Sequence, residues 1–171
     1  MTAPPNPNLN HILRLAINPA LRLLPAEMTS NEARNLLLTI GLQESGFITR
    51  TQADGGPARG FWQFEQGTEE SRGGVYGIYL HEDSHGPLQY LCRRRRVAFD
   101  PESIYNTLAH DDILAAGCAR LLMYTDPYAV PDLDDVEGGW EMYAERCWRP
   151  GKPHPETWQE YFEQALDIID P

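Results

Sequence analysis

A glutamate–serine pair, Glu44-Ser45, stands at the end of an apolar helical pattern and is the feature of this sequence best suited to chemistry. The apolar side chains recur at helical spacing, and the glutamate continues their row: Ala33, Leu36, Leu37, Ile40 and Glu44. The pattern therefore predicts that the Glu44 carboxyl projects from the buried side of the helix. Burial raises the pKa of a carboxyl group, as a general acid near neutral pH requires. A solvated glutamate at a frayed helix end is the alternative interpretation.

The sequence also predicts where this helix begins and ends. Thr29 and Glu32 have the spacing of a capping box, with Thr29 as the N-cap. Gly46 is predicted to end the helix, since glycine tolerates the left-handed backbone found at helix ends. Residues 60–63 (Gly-Phe-Trp-Gln) follow after a short loop. They are predicted to form the wall of a cleft beside the acid.

Four segments, in this order, resemble the motifs of goose-type lysozymes and soluble lytic transglycosylases, a group within the lysozyme-like superfamily. They are Glu44-Ser45, residues 60–63, the small-residue segment 113–122 and residues 140–143 (Trp-Glu-Met-Tyr). The resemblance implies a mainly α, lysozyme-like single domain with at most a small β-hairpin beside the cleft. Two segments depart from the usual pattern. Residues 61–62 are bulkier than the usual Leu-Met pair, and residues 140–143 lack the usual context of the motif tyrosine.

The resemblance further implies a glycosidase that cuts the β-1,4 bond between MurNAc and GlcNAc in peptidoglycan. Glu44 is the predicted general acid, and Tyr143 is predicted to lie opposite the acid and orient it. Gln63 is predicted to bind a sugar or to hold the cleft wall. The full set of predicted substrate-binding residues is Ser45, Phe61, Trp62, Gln63 and Tyr143.

Asp54 and Glu65 are the candidate second carboxylates, because goose-type lysozymes carry acids at these offsets from the second motif. If either acid works with Glu44, water is activated or the cationic transition state is stabilised, and a reducing sugar results. If neither does, the sugar's own hydroxyl closes a 1,6-anhydro ring, as in the transglycosylases. The sequence leaves both outcomes open, with a slight preference for hydrolysis. It predicts neither a cofactor nor a metal ion.

Length and composition suit a single globular domain. The chain has 171 residues, and we predict a flexible arm over residues 1–9 and one domain over residues 10–171. No apolar run is long enough to span a membrane, and the first residues lack the pattern of a signal peptide. Synthesis in a bacterial cytoplasm is therefore expected, and a wall-cutting enzyme without a leader suggests a phage virion component or delivery to the periplasm.

The net charge of −11 constrains the partners. It disfavours nucleic acid and slows encounter with anionic wall polymers, while a basic partner protein or a place in a virion would suit it. Two other classes stay open. One is a non-catalytic lysozyme-fold module that binds glycan or assembles in a virion. The other is an acidic, chitosanase-like hydrolase, whose cationic substrate matches the charge.

Two basic segments interrupt this acidic chain. Residues 93–96 (four arginines) are predicted to close a helix, where cations suit the helix dipole, with substrate or partner contact as the alternative. Residues 148–154 (Trp-Arg-Pro-Gly-Lys-Pro-His) combine an aromatic ring with cations. They are interpreted as a turn into the last helix with Trp148 in the core, or as a glycan subsite.

Overall fold

Helices make up most of the backbone in the computed structural model, which describes residues 9–171. The chain is therefore mainly α, as the sequence predicts. The predicted arm over residues 1–9 lies outside the described residues except for Leu9. Leu9 belongs to the first helix and is buried, so at this residue the arm prediction is wrong.

The helices follow one another through short connections. Their bounds are α1 Leu9–Ile12, α2 Asn18–Arg22, α3 Asn31–Glu44, α4 Gly74–Leu80, α5 Glu82–Arg95, α6 Pro101–Thr107, α7 Asp112–Tyr124, α8 Val136–Trp140 and α9 Pro155–Ile169. Two π-helical segments continue the α-helices: Leu13–Ile17 joins α1 to α2, and Glu141–Cys147 follows α8. Short 3-10 turns lie at Ala26–Met28 and Ala53–Gly55.

The ends of α3 fix the position of Glu44. Ser30, not Thr29, is the N-cap, because its Oγ accepts a hydrogen bond from the backbone N–H of Ala33 at 3.0 Å. The Thr29 prediction is thus wrong by one residue, since the Thr29 N–H instead donates to Ala26 and closes the preceding 3-10 turn. The predicted C-terminus is confirmed: α3 ends at Glu44, and Gly46 has a φ of 64°.

Helix α3 lies at the centre of one hydrophobic core that connects α1 with α9. Its apolar side chains are buried on all sides, because α7 and α9 pack against it. The small residues of α7 allow close packing on α5: a methyl group at Gly117 would lie 2.4 Å from the Leu91 side chain. Asp111 caps α7 by accepting from the Leu114 N–H.

The segment between α3 and α4 carries the second motif. Its hairpin is reduced to two isolated bridges, Thr51 with Arg59 and Arg59 with Phe64, and residues 9–171 contain no extended strand. The run of four arginines ends α5, with Arg96 as its left-handed C-cap. None of the helices between residues 9 and 171 combines the length and the apolar character needed to cross a membrane.

Candidate active site

The Glu44 carboxyl lies at the last residue of α3, partly exposed to a cleft. Its Oε1 accepts a hydrogen bond from the Tyr143 hydroxyl at 2.7 Å. Burial raises the pKa of Glu44 from 4.5 to about 7, although the Tyr143 hydrogen bond acts in the opposite direction. The carboxyl therefore titrates near neutral pH, where it exchanges a proton readily with a bound group.

Tyr143 comes from a distant part of the chain, and close helix packing brings it to the acid. It lies in the π-helical segment Glu141–Cys147, and its side chain is 3% exposed. The preceding helix α8 approaches α3 and α9 closely at Gly139. A methyl group there would lie 3.2 to 3.3 Å from side-chain atoms of Leu36, Trp158 and Phe162. The small residue thus allows the approach that sets Tyr143 over the end of α3.

Aromatic rings hold the tyrosine in place. Its ring stacks on Trp158, with centroids 5.1 Å apart and planes 6° from parallel. Trp148 packs on it at a tilt, 6.1 Å between centroids, and donates its indole N–H to the Trp62 carbonyl at 2.9 Å. The same burial raises the pKa of Tyr143 further above its ordinary value, with the Glu44 charge as a second cause. Tyr143 therefore stays protonated and donates to Glu44.

The cleft has a volume of about 1330 Å³ and brings several predicted site residues together. Glu44, Ser45, Gln63, Glu65 and Tyr143 all lie along it. Comparison of the chain with family models, curated proteins and solved structures found no match. Support for a function therefore comes from the geometry of the cleft itself.

The bulky pair of the second motif does not form the cleft surface. Phe61 is 4% exposed and Trp62 is 0% exposed, and neither lines the cleft. The Trp62 indole N–H donates to the Leu37 carbonyl at 2.8 Å. Both rings pack edge-on against Phe47. The prediction that these two side chains contact substrate is therefore wrong, because the core of the protein already encloses them.

Ser45 has a structural position beside the acid. Its Oγ donates to the Phe61 carbonyl at 2.6 Å and accepts from the Phe47 N–H at 3.1 Å. These bonds join the end of α3 to the second motif. Although Ser45 lies along the cleft, its hydroxyl is occupied by the backbone, so the structure assigns it to positioning the Glu44 end of the helix.

Gln63, Glu65 and Asp54 differ in their relation to the cleft. Gln63 has a φ of 53°, and its amide Nε2 donates to the Gly60 carbonyl at 2.9 Å, which fixes its side chain on the cleft wall. Glu65 is exposed and lines the cleft. Asp54 is exposed in the turn Ala53–Gly55 and is not among the lining residues. Of the two candidate second carboxylates, the structure brings Glu65 to the cleft.

The segment 148–154 forms another part of the cleft wall. Trp148, Arg149, Pro150, Gly151, Lys152 and His154 all line it. The predicted turn into the last helix is confirmed, since α9 begins at Pro155, and Trp148 packs against the core while it also lines the cleft. Gln43, which the sequence did not indicate, joins this wall to α3: its Nε2 donates to the His154 carbonyl at 2.8 Å, and its Oε1 accepts from the Thr157 hydroxyl.

Proposed function

We propose that this chain is a lysozyme-like glycosidase that cuts the β-1,4 bond between MurNAc and GlcNAc in peptidoglycan. The observation that carries this proposal is the position of the Glu44 carboxyl, which lines a cleft and has a pKa of about 7. Near pH 7 about half of such carboxyls hold a proton and can donate it. Glycosidic bond cleavage requires a protonated carboxyl that can donate to the leaving-group oxygen, and a carboxyl on a cleft wall is accessible to a bound glycan.

The proposed chemical step is proton transfer to the leaving group. The Glu44 proton passes to the glycosidic oxygen, the bond from that oxygen to the anomeric carbon breaks, and the bonding electrons stay with the oxygen. The ionised Glu44 that results accepts the hydrogen bond from Tyr143, which stabilises the new charge. A nucleophilic oxygen then attacks the anomeric carbon and returns a proton to the carboxylate.

The size of the cleft supports a polymeric substrate. Its volume of about 1330 Å³ exceeds the roughly 300–1,000 Å³ of sites that enclose small ligands. Glu65 supports water as the nucleophile, because it is an exposed carboxylate on the same cleft. We therefore favour hydrolysis over internal ring closure, with Glu65 as the second carboxylate.

A zymogram with matched variants tests the proposal. Wild-type protein should clear embedded peptidoglycan, and Glu44→Gln should lose about 10² to 10⁴ in rate, the usual contribution of a general acid. Glu163→Gln on the exposed face of α9 is the control, since it removes a carboxylate far along the chain from the acid. Full activity of Glu44→Gln would refute the assignment.

The same assay separates the two alternatives. The net charge of −11 favours a cationic polymer, so a parallel gel contains chitosan. Clearing of chitosan with no clearing of peptidoglycan would identify an acidic chitosanase. Binding to insoluble peptidoglycan without any released product would identify a non-catalytic module.

A further inference from the structure

The cleft differs in charge from the rest of this acidic chain. The whole sequence has 25 acidic residues against 14 lysines and arginines. The cleft is lined by the acids Glu44 and Glu65 and by the bases Arg149 and Lys152. Because Glu44 is partly protonated near pH 7, the cleft is neutral to positive while the protein as a whole is strongly negative.

The two cations lie on a short segment that we call the basic strap, residues 149–153 (Arg-Pro-Gly-Lys-Pro). The strap is anchored at both ends. At its start, the N–H groups of Trp148 and Arg149 donate to the Tyr143 carbonyl at 2.8 and 3.3 Å. At its end, Gln43 holds the carbonyl of His154. The two prolines further limit its backbone freedom. The strap is thus fixed at one end to Tyr143 and at the other to Gln43, which precedes Glu44 in the chain.

Neither cation of the strap has an ionic partner within residues 9–171. Three other arginines are paired with aspartates: Arg50 with Asp112, Arg95 with Asp111 and Arg146 with Asp126. Among the described residues, no carboxylate forms an ion pair with Arg149 or Lys152. Both residues are exposed on the cleft wall. They are available to an anion that enters with the substrate.

We propose that the basic strap binds carboxylates of the glycan substrate and so selects acidic, peptide-bearing strands over neutral or cationic ones. The inference rests on the proposed function. A polymer of N-acetylglucosamine is itself uncharged, whereas the peptide stems of peptidoglycan carry carboxylates beside the glycan backbone. Arginine and lysine on an anchored wall attract those groups locally and offset the repulsion from the net charge of −11.

Binding to an inactive protein tests the strap without requiring turnover. In a Glu44→Gln background, dissociation constants are measured for a peptidoglycan tetrasaccharide with peptide stems and for the neutral N-acetylglucosamine tetramer. We expect tighter binding of the acidic ligand. Adding Arg149→Gln and Lys152→Gln should reduce that preference roughly fivefold to tenfold, as expected for the loss of two exposed charge contacts. In high salt the effect of these substitutions should be smaller, because salt screens the contacts.

The matched control removes the same charge elsewhere. Arg93→Gln with Arg94→Gln makes an equal change in net charge on the exposed end of α5, outside the cleft lining. This pair should leave the preference unchanged. If both sugars still bind, an unchanged preference in the strap variant would overturn the strap proposal. An equal loss of preference in the control pair would also overturn it. If the background protein binds neither sugar and the wild type cleaves neither, the proposed function fails as well.

Discussion

Replacing Glu44 with glutamine should stabilise the fold in a manner that depends on pH. Burial raises the pKa of Glu44 from 4.5 to about 7, so the folded protein holds this proton more tightly than the unfolded chain does. As pH rises from about 4.5 to 7, the unfolded chain ionises first and the folded state loses stability. The rise in pKa corresponds to about 3 kcal/mol, since a tenfold change in proton affinity is about 1.4 kcal/mol.

Glutamine avoids that penalty because it has no proton to lose, and its amide oxygen can still accept from Tyr143. The free energy of unfolding, measured by urea denaturation between pH 4 and pH 8, should therefore rise in Glu44→Gln relative to the wild type by about 3 kcal/mol across this range. Other ionisable groups cancel in the difference between the two proteins. Glu65→Gln, which removes an exposed carboxylate from the same cleft, is the matched control for the loss of one carboxylate.

A Glu44→Gln difference that is flat between pH 4 and pH 8 would refute the reasoning. It would mean that the carboxyl has the same proton affinity in the folded and unfolded states. The desolvation at the end of α3 would then be too weak to supply a general acid, whatever the geometry of the cleft.

Three further predictions concern the neighbours of the acid. Tyr143→Phe removes the hydrogen bond that lowers the pKa of Glu44, so the alkaline limb of kcat/KM should move to higher pH; a limb that stays in place would contradict this. Gly41→Ala places a methyl group 2.0 Å from the Phe47 ring and should cost about 1–3 kcal/mol of unfolding free energy in urea, whereas an unchanged value would show that the ring moves freely. Trp62→Phe should lower stability by about 1–3 kcal/mol through the lost bond to Leu37, with kcat/KM within about twofold of wild type; a selective rise in KM would restore a substrate contact.

The helix that carries Glu44 was predictable because its information is local. Apolar spacing indicates α3, and a glycine in the left-handed region ends it after Glu44. The N-cap was misplaced between Thr29 and Ser30 because both residue types can cap a helix. Thr29 ends the preceding 3-10 turn, since its N–H donates to the Ala26 carbonyl, and the N-cap position therefore falls on Ser30.

The relation between Glu44 and Tyr143 was less predictable, because it depends on packing between distant segments. The resemblance indicated the tyrosine, but its position follows from the close approach at Gly139 and the wide π-helical turn. Trp62 was misjudged for a similar reason. The second motif predicts that it contacts substrate, yet the Leu37 carbonyl accepts a hydrogen bond from its only polar side-chain atom inside the core.

Mass spectrometry of the products from purified peptidoglycan tests the central claim most directly. We predict that wild-type protein releases muropeptides cut between MurNAc and GlcNAc, with reducing MurNAc ends, and that Glu44→Gln releases almost none. Ends of the 1,6-anhydro type, together with full activity of Glu65→Gln, would remove the second carboxylate but keep the glycosidase. Glycan strands that remain uncut by the wild-type protein would contradict the assignment of Glu44 as the general acid of a peptidoglycan glycosidase.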